Sequence, residues 1–378
     1  MATNNNDKTL NVPHLRFPEF NGEWEKKRIS EFCTLLKGTG ISKDQLSTNG
    51  NPCILYGELY TKYKAEIINE VLSCTELDAN TLVKSKVNDV IIPCSGETAI
   101  DIATARCIPF DDVLLGGDLN ILRSNKVNGS FLAYQLNGKR KYDIARVAQG
   151  VSVVHLYGEH LKNIVISLPV IEEQQKISRL LHLLDERIAT QNKIIEKLQS
   201  LIKGITILLT AKGKPNTTIA QCLECHSSTL QESEVSHSGL YKVFGANGLV
   251  GYTDMPQMNG DAILIIKDGS GVGTTSYAQG EFSVIGTLNY LTAISNYDLR
   301  YLYFVLSVFN FQSYKTGMAI PHIYFKDYGN AKIFCPPLSE QKRIANVLGK
   351  LESKLCLEQN ILASFNLQKR YLLGQMFI

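Results

Sequence analysis

A nine-residue stretch, Pro169-Val-Ile-Glu-Glu-Gln174-Gln-Lys176-Ile177, returns 167 residues later as Pro336-Pro-Leu-Ser-Glu-Gln341-Lys-Arg343-Ile344. The same offset holds upstream, where Gly150-Val-Ser-Val-Val-His155-Leu-Tyr157 matches Gly317-Met-Ala-Ile-Pro-His322-Ile-Tyr324. Further back it drifts by a few residues. Asp118-Leu-Asn120-Ile-Leu122 meets Thr287-Leu-Asn289-Tyr-Leu291, and Asp89-Val-Ile-Ile meets Asp261-Ala-Ile-Leu. A repeat constrains a fold more than any local propensity, because each copy must form the same unit. The rigid part has fixed length, while the drifting part tolerates loops of different length. The chain therefore reads as a variable globular domain followed by a helix, twice. Its 378 residues suffice for two such domains, each burying its own core.

After each proline box the apolar residues step by four and three. The first copy runs Ile177, Leu181, Leu184, Ile188, Ile195, Leu198, Ile202, Ile205 and Leu209, with Gln191 in the one polar slot. The second runs Ile344, Leu348, Leu351, Leu355, Leu362, Phe365, Leu372 and Met376, with Glu358 and Lys369 in polar slots. A seam sustained over more than four heptads is a coiled-coil pattern. Glu358 falls at the slot equivalent to Gln191. If the helices pack antiparallel, the two polar groups face each other at the crossing, fixing register at some cost in stability. Two amphipathic helices lying on separate cores are the alternative.

The globular parts read as mixed α/β with short strands at 90–94, 262–266 and 282–285, closed by glycine-containing turns. Helices are expected at 129–136 and 298–311. The expected fold class is α+β: two α/β domains joined by two long antiparallel coiled-coil helices in a pseudo-twofold repeat. The expected divisions are a flexible tail at 1–14, a first domain at 15–168, a helical spacer at 169–211, a second domain at 212–335 and a second spacer at 336–378.

Catalytic and cofactor motifs are incomplete wherever they start. Cys222-Leu-Glu-Cys225-His226 has the spacing of a haem attachment string, but that chemistry needs export, and the polar, Asn-rich start of the chain holds no apolar signal region. A second Cys pair at zinc spacing is missing too. Lys267-Asp-Gly269-Ser-Gly271-Val-Gly273-Thr follows a strand, yet Thr274 stands where a dinucleotide fingerprint has glycine, and no Gly-Lys-Ser/Thr ending makes a phosphate loop. The segment after it is rich in turn residues, so no helix N-terminus is expected to hold a phosphate. The matching loop of the first half is Pro93-Cys94-Ser95-Gly96-Glu97. Pro93-Cys94 resembles the nucleophile pair of cytosine methyltransferases, without the cofactor loop or acidic partner. A binding protein is therefore expected rather than an enzyme. Nine scattered cysteines and the lack of a membrane-length apolar run point to a reducing cytoplasm.

Leu15-Arg16-Phe17-Pro18-Glu19-Phe20-Asn-Gly22-Glu23-Trp24 resembles the opening of type I restriction–modification specificity subunits. So do the two Pro-x-x-x-Glu-Gln-x-x-Ile boxes, each leading into a long helix, with support from the Gly-x-x-x-x-His loops at Gly150 and Gly317. The resemblance covers essentially the whole chain. It implies two target-recognition domains, each reading half of a bipartite site on double-stranded DNA, with the helices setting the unread spacer. It also implies a non-catalytic chain. S-adenosylmethionine, ATP and Mg would serve partner subunits, one kind methylating adenine and the other translocating and cleaving. A coiled-coil protein–protein scaffold without DNA contact is the competing reading.

Geometry is compatible with a ruler. Residues 172–209 would form a rod of roughly 57 Å, on the order of 17 base pairs of B-DNA. The net charge is only +3, so any phosphate-binding footprint must be local. Candidate DNA contacts in the first domain are Lys37, Lys139, Arg140, Lys141, Arg146 and Ser152. In the second they are Asn247, Lys267, Ser270 and Lys315. His155 and His322, at matching positions, are expected to anchor their loops or lie beside phosphates. Arg187 and Lys354, on the helices, are candidates for docking modification subunits. Because the two halves differ, an asymmetric site is expected.

Overall fold

The structure is a computed structural model that describes residues 10–378. Residues 1–9, most of the expected tail, lie outside the described residues. Two compact units form, one running to Gln191 and taking in Ile361–Ile378, the other comprising Asn192–Asn360. The two long helices, Ile171–Thr210 and Leu338–Gln375, are each divided between the units.

In the first unit, strands Thr34–Lys37, Leu119–Arg123, Asp89–Pro93 and Arg106–Ile108 lie side by side in that order, every pair antiparallel. The strand Asp89–Pro93 is buried along its whole length, which is why its sequence shows an unbroken apolar run rather than alternation. A second sheet orders Leu46–Ser47, Ser73–Thr75, Asn51–Ile54 and Leu114–Leu115, with a parallel last pair. A two-stranded ribbon joins Glu25–Arg28 to Val165–Leu168, immediately before the first proline box.

The second unit follows the same plan. Leu223–Ser227, Leu288–Ala293, Ala262–Ile266 and Thr275–Ala278 form its antiparallel sheet in the same order. Gly248–Thr253, Tyr241–Gly245, Glu281–Val284 and Met258–Asn259 form the second sheet, again with one parallel pair. Thr217–Thr218 pairs with Lys332–Ile333 just before the second box. The repeat read from a few motifs is thus a repeat of topology.

Each unit closes its core on both long helices. In the first, Trp24, Phe131 and Tyr134 pack with Ile177, Leu181 and Leu184 of the first helix and with Leu372, Met376 and Phe377 at the end of the second. The rings of Trp24 and Phe131 lie 5.8 Å apart. In the second unit, Tyr301, Leu302 and Phe304 pack with Ile344 and Leu348, while Ile205 and Leu209 border the same core. Early turns of one helix thus share a core with late turns of the other in both units, as antiparallel helices must.

Two expectations need correction. The helix expected at 298–311 stops at Ser307 and resumes as a 3-10 turn, Phe311–Tyr314. The Asn310 side chain accepts from the Gln312 amide at 3.0 Å, offering the backbone an alternative to continuing the helix. The expected tail also ends sooner than residue 14. Asn11 is buried, its side-chain amide donating to the Trp24 carbonyl, and the Leu15 amide donates to the Gln375 carbonyl at 3.0 Å.

Candidate nucleic-acid interface

The glutamine of each proline box is a bracket between helix and domain. Gln174 is buried; its Nε2 donates to the Pro169 carbonyl at 2.8 Å, and its Oε1 accepts from the Asn128 amide at 3.0 Å. Gln341 repeats this, donating to the Pro336 carbonyl at 2.8 Å and accepting from the Asp298 amide at 2.9 Å. Asn128 and Asp298 are the N-caps of the helices Gly129–Asn137 and Leu299–Ser307, accepting from Phe131 and Tyr301. One side chain therefore satisfies a backbone acceptor at the start of the long helix and a backbone donor at the domain's own helix.

A second tie lies three turns further on, again at the 167-residue offset. Asp185 Oδ2 accepts from the Tyr134 hydroxyl at 2.7 Å, and Glu352 Oε1 from the Tyr303 hydroxyl at 2.9 Å. The cations differ. Lys369 pairs with Asp185 at 2.6 Å and with Glu66, whereas Arg300, on the second domain's own helix, pairs with Glu352. Burial depresses the Lys369 ammonium, but the Glu66 and Asp185 carboxylates outweigh it and hold its pKa above the usual value. The opening motif is tied down as well. Arg16 meets the fully buried Glu173 through Nε and Nη2, both at 2.8 Å, and that hydrogen-bonded pair raises the guanidinium pKa.

The two glycine–histidine loops share one geometry. Gln149 and His155 exchange both backbone hydrogen bonds, at 2.9 and 2.7 Å, and Thr316 and His322 do so at 2.9 and 2.8 Å. Gly150 and Gly317 have φ of 120° and 86°. A Cβ on Gly150 would meet the Val153 carbonyl oxygen at 2.1 Å, and one on Gly317 the Ile320 carbonyl oxygen at 2.3 Å, so only glycine fits. Each histidine clasps the loop across the sheet: Nδ1 of His155 lies 3.2 Å from Ser95 Oγ, and Nδ1 of His322 lies 2.7 Å from Asp268 Oδ1. Ser95 and Asp268 belong to the two loops already matched in the sequence.

The other candidates scatter. Ser152 and Val153 line a cleft with Tyr56, Tyr60, Lys64 and Ser95. Lys37 is exposed at the end of its strand, 3.9 Å from Asp118. Arg146 is exposed and contacts Asp143 at 3.4 Å. Arg140 is occupied elsewhere, donating to Asp143 at 3.1 Å and to the Ile378 carbonyl at 3.0 Å. It separates exposed Lys139 from half-buried Lys141. In the second unit Lys267 lies 3.7 Å from Asp268, Ser270 is exposed on the adjoining turn, and Lys315 sits at the base of the glycine loop. Asn247 lies apart, exposed in the turn between Tyr241–Gly245 and Gly248–Thr253. On the helices Gln191 is buried and Glu358 accepts from Lys354 at 3.0 Å, while Arg187 is exposed.

The cysteine motifs dissolve into packing. Cys222 is buried with its sulfur 3.9 Å from Cys335, Cys225 borders the core, and the His226 ring stacks on Tyr290 at 4.9 Å. Burial pushes the Cys94 thiol up to about 11, the wrong direction for a nucleophile. What sequence reading missed were the buried brackets and the Arg16–Glu173 pair. The recurrence of Gln174 as Gln341 was the available signal.

A family model described as the type I restriction modification DNA specificity domain matches residues 21–200 and again 220–366. The chain is 28% identical over 201 residues to the type I restriction enzyme MjaVIII specificity subunit of Methanocaldococcus jannaschii, a stretch covering 53% of this chain and 44% of that protein. It is 24% identical over 116 residues to the type I restriction enzyme EcoprrI specificity subunit of Escherichia coli, covering 31% of this chain and 29% of that protein. The match thus spans less than half the length of either relative. The S subunit of a type I restriction–modification system from M. genitalium superposes with a TM-score of 0.69 at 18% identity, covering 97% of this chain and 99% of that one. A chain from a structure describing complex assembly and conformational transition of the type I R-M system gives 0.55 at 16% identity, covering 97% and 99%. At those identities the likeness is one of fold.

Proposed function

Since the chain belongs to the type I restriction modification DNA specificity family, we propose that it is the non-catalytic subunit that reads DNA sequence for a type I restriction–modification complex. Each unit reads one half of an asymmetric bipartite site. Modification subunits carrying S-adenosylmethionine then methylate adenine there, and ATP- and Mg-dependent subunits carry out restriction. The observation that carries this is the duplicated unit itself. The same sheets, the same glutamine bracket and the same clasped loop recur, while the loops between them differ in length and chemistry. Such a design supports two readers of different sequence on one frame. A 40-residue helix is about 60 Å long, on the order of 18 base pairs, which suits half-sites one to two helical turns apart.

Lys37, Arg146, Lys267 and Lys315 are assigned to phosphates, and Ser152, Asn247 and Ser270 to base edges. Exposed apolar side chains on the long helices, among them Leu180 and Val347 at equivalent positions and Leu183, Leu201, Leu357 and Leu367 elsewhere along them, suit helices of modification subunits. Glutamates at Arg187 and Lys354 are expected to reduce co-purification with those subunits. No helix among the described residues is long and apolar enough to cross a membrane, and a cytoplasmic site of action fits DNA as the partner.

The test is duplex binding by the chain with its modification subunits at a series of salt concentrations. Several phosphate contacts predict a steep fall of log affinity with log salt, each contact contributing close to one unit of slope. A flat response would favour the protein–protein scaffold instead.

A further inference from the structure

The tips of the two clasped loops carry apolar side chains held out into solvent. Val151 is 96% exposed and Met318, its counterpart, 105%; Val153 and Ile320, the next matching pair, are 53% and 58% exposed. We propose that each pair, Val151 with Val153 and Met318 with Ile320, forms an apolar reading head on its own unit, which enters the major groove and distinguishes thymine by its C5-methyl group. This rests on the proposed role in DNA recognition and names residues for it that no polar-contact reasoning selects.

Three observations support the assignment. Isolated apolar residues on a surface are ordinary, but here the same two positions are exposed in two units whose other loops have diverged. The loops are also rigid by construction. Each is closed by two backbone hydrogen bonds, turned by a glycine that no other residue can replace, and clasped by a histidine to Ser95 or Asp268. Each loop is closed at its base by one bridged residue pair, so it is no broader there than the two-stranded ribbon that the major groove admits. Finally, cations stand beside both loops, each in mixed company. Lys64 lines the cleft with Val153, Tyr56 and Tyr60, together with Glu97 and Asp101, while Lys315 and Lys267, the latter 3.7 Å from Asp268, lie at the base of the second loop.

Valine and isoleucine offer no donor or acceptor for a base edge, and methionine only a weak acceptor. The one base feature they complement is the thymine methyl group, which only the major groove displays. The cations assigned to phosphates hold the DNA backbone in place, and the tips add thymine discrimination to the base-edge contacts of Ser152 and Ser270.

The test selects bound duplexes from a random double-stranded library by the full chain with its modification subunits. One library contains thymine, the other uracil in its place. The wild type is expected to enrich a two-part motif with thymine at defined positions in each half, and to lose at least about 5-fold in enrichment at those positions when uracil replaces thymine. Val151→Ser with Val153→Ser is expected to relax one half only, and Met318→Ser with Ile320→Ser the other, with salt dependence unchanged. Intact thermal unfolding of each variant excludes loss of fold. A wild type that enriches a motif indifferent to uracil, with tip variants that keep it, overturns the reading head while leaving DNA recognition standing. A wild type that binds no duplex overturns both.

Discussion

Replacing Gln174 with alanine removes both ends of a buried bracket at once. The Pro169 carbonyl loses its donor and the Asn128 amide its acceptor, in a place where water has little access because Gln174 is only 3% exposed. An orphaned buried polar group costs about 1–3 kcal/mol. With two orphans and a cavity that partly relaxes, the loss is about 2–4 kcal/mol. For a unit of this size that lowers Tm by roughly 5–15 °C. The chain's single tryptophan, Trp24, is buried in the first unit, so its fluorescence follows that unit alone. Thermal unfolding read by Trp24 should shift strongly for Gln174→Ala and much less for Gln341→Ala, whose effect belongs in the second unit and is read by far-ultraviolet dichroism. A loss under about 0.5 kcal/mol for Gln174→Ala would refute the bracket, since surface substitutions reach that figure.

Other consequences follow from the same ties. Arg16→Ala leaves Glu173 buried without a partner and should cost about 3–5 kcal/mol in denaturant unfolding, with partial recovery when Glu173→Gln is added; no recovery would mean that Arg16 acts by packing. The Lys369 pKa is raised in the folded chain, so its contribution is complete below the unfolded value and lost as pH rises through the folded one. The first unit should therefore lose stability more steeply above about pH 10.5 than a Lys369→Met variant, measured by urea midpoints at pH 9 and 11. Equal slopes would contradict the buried ion cluster. Gln191→Leu with Glu358→Leu should raise Tm if those residues set helix register at a cost in stability, and a marked fall would contradict that role.

Much of the fold is legible because its strongest signals are local or repeated. Heptad spacing places Ile171–Thr210 and Leu338–Gln375 to within a few residues, since an apolar stripe of period 3.5 admits little else. The 167-residue offset also pointed at Gln174, whereas Asp185 was not singled out, and the partners of both could not be read. Asn128 lies 46 residues from Gln174, and Tyr134 lies 51 from Asp185. Strand order was equally hidden, because Thr34–Lys37 beside Leu119–Arg123 is settled by packing of the whole core and not by either segment. Candidate contacts were all charged or hydrogen-bonding side chains. That choice selected Arg140, which is consumed by Asp143 and the Ile378 carbonyl, and passed over Val151 and Met318, whose exposure only the folded loop reveals.

The most direct measurement compares adenine methylation across the host genome by single-molecule sequencing, with the gene intact, deleted, and carrying a foreign first unit exchanged before Pro169. One bipartite methylated motif should vanish on deletion, and on exchange only one of its halves should change. A methylation pattern indifferent to deletion, in cells where the modification subunits are expressed, would contradict the claim that this chain reads the sequence.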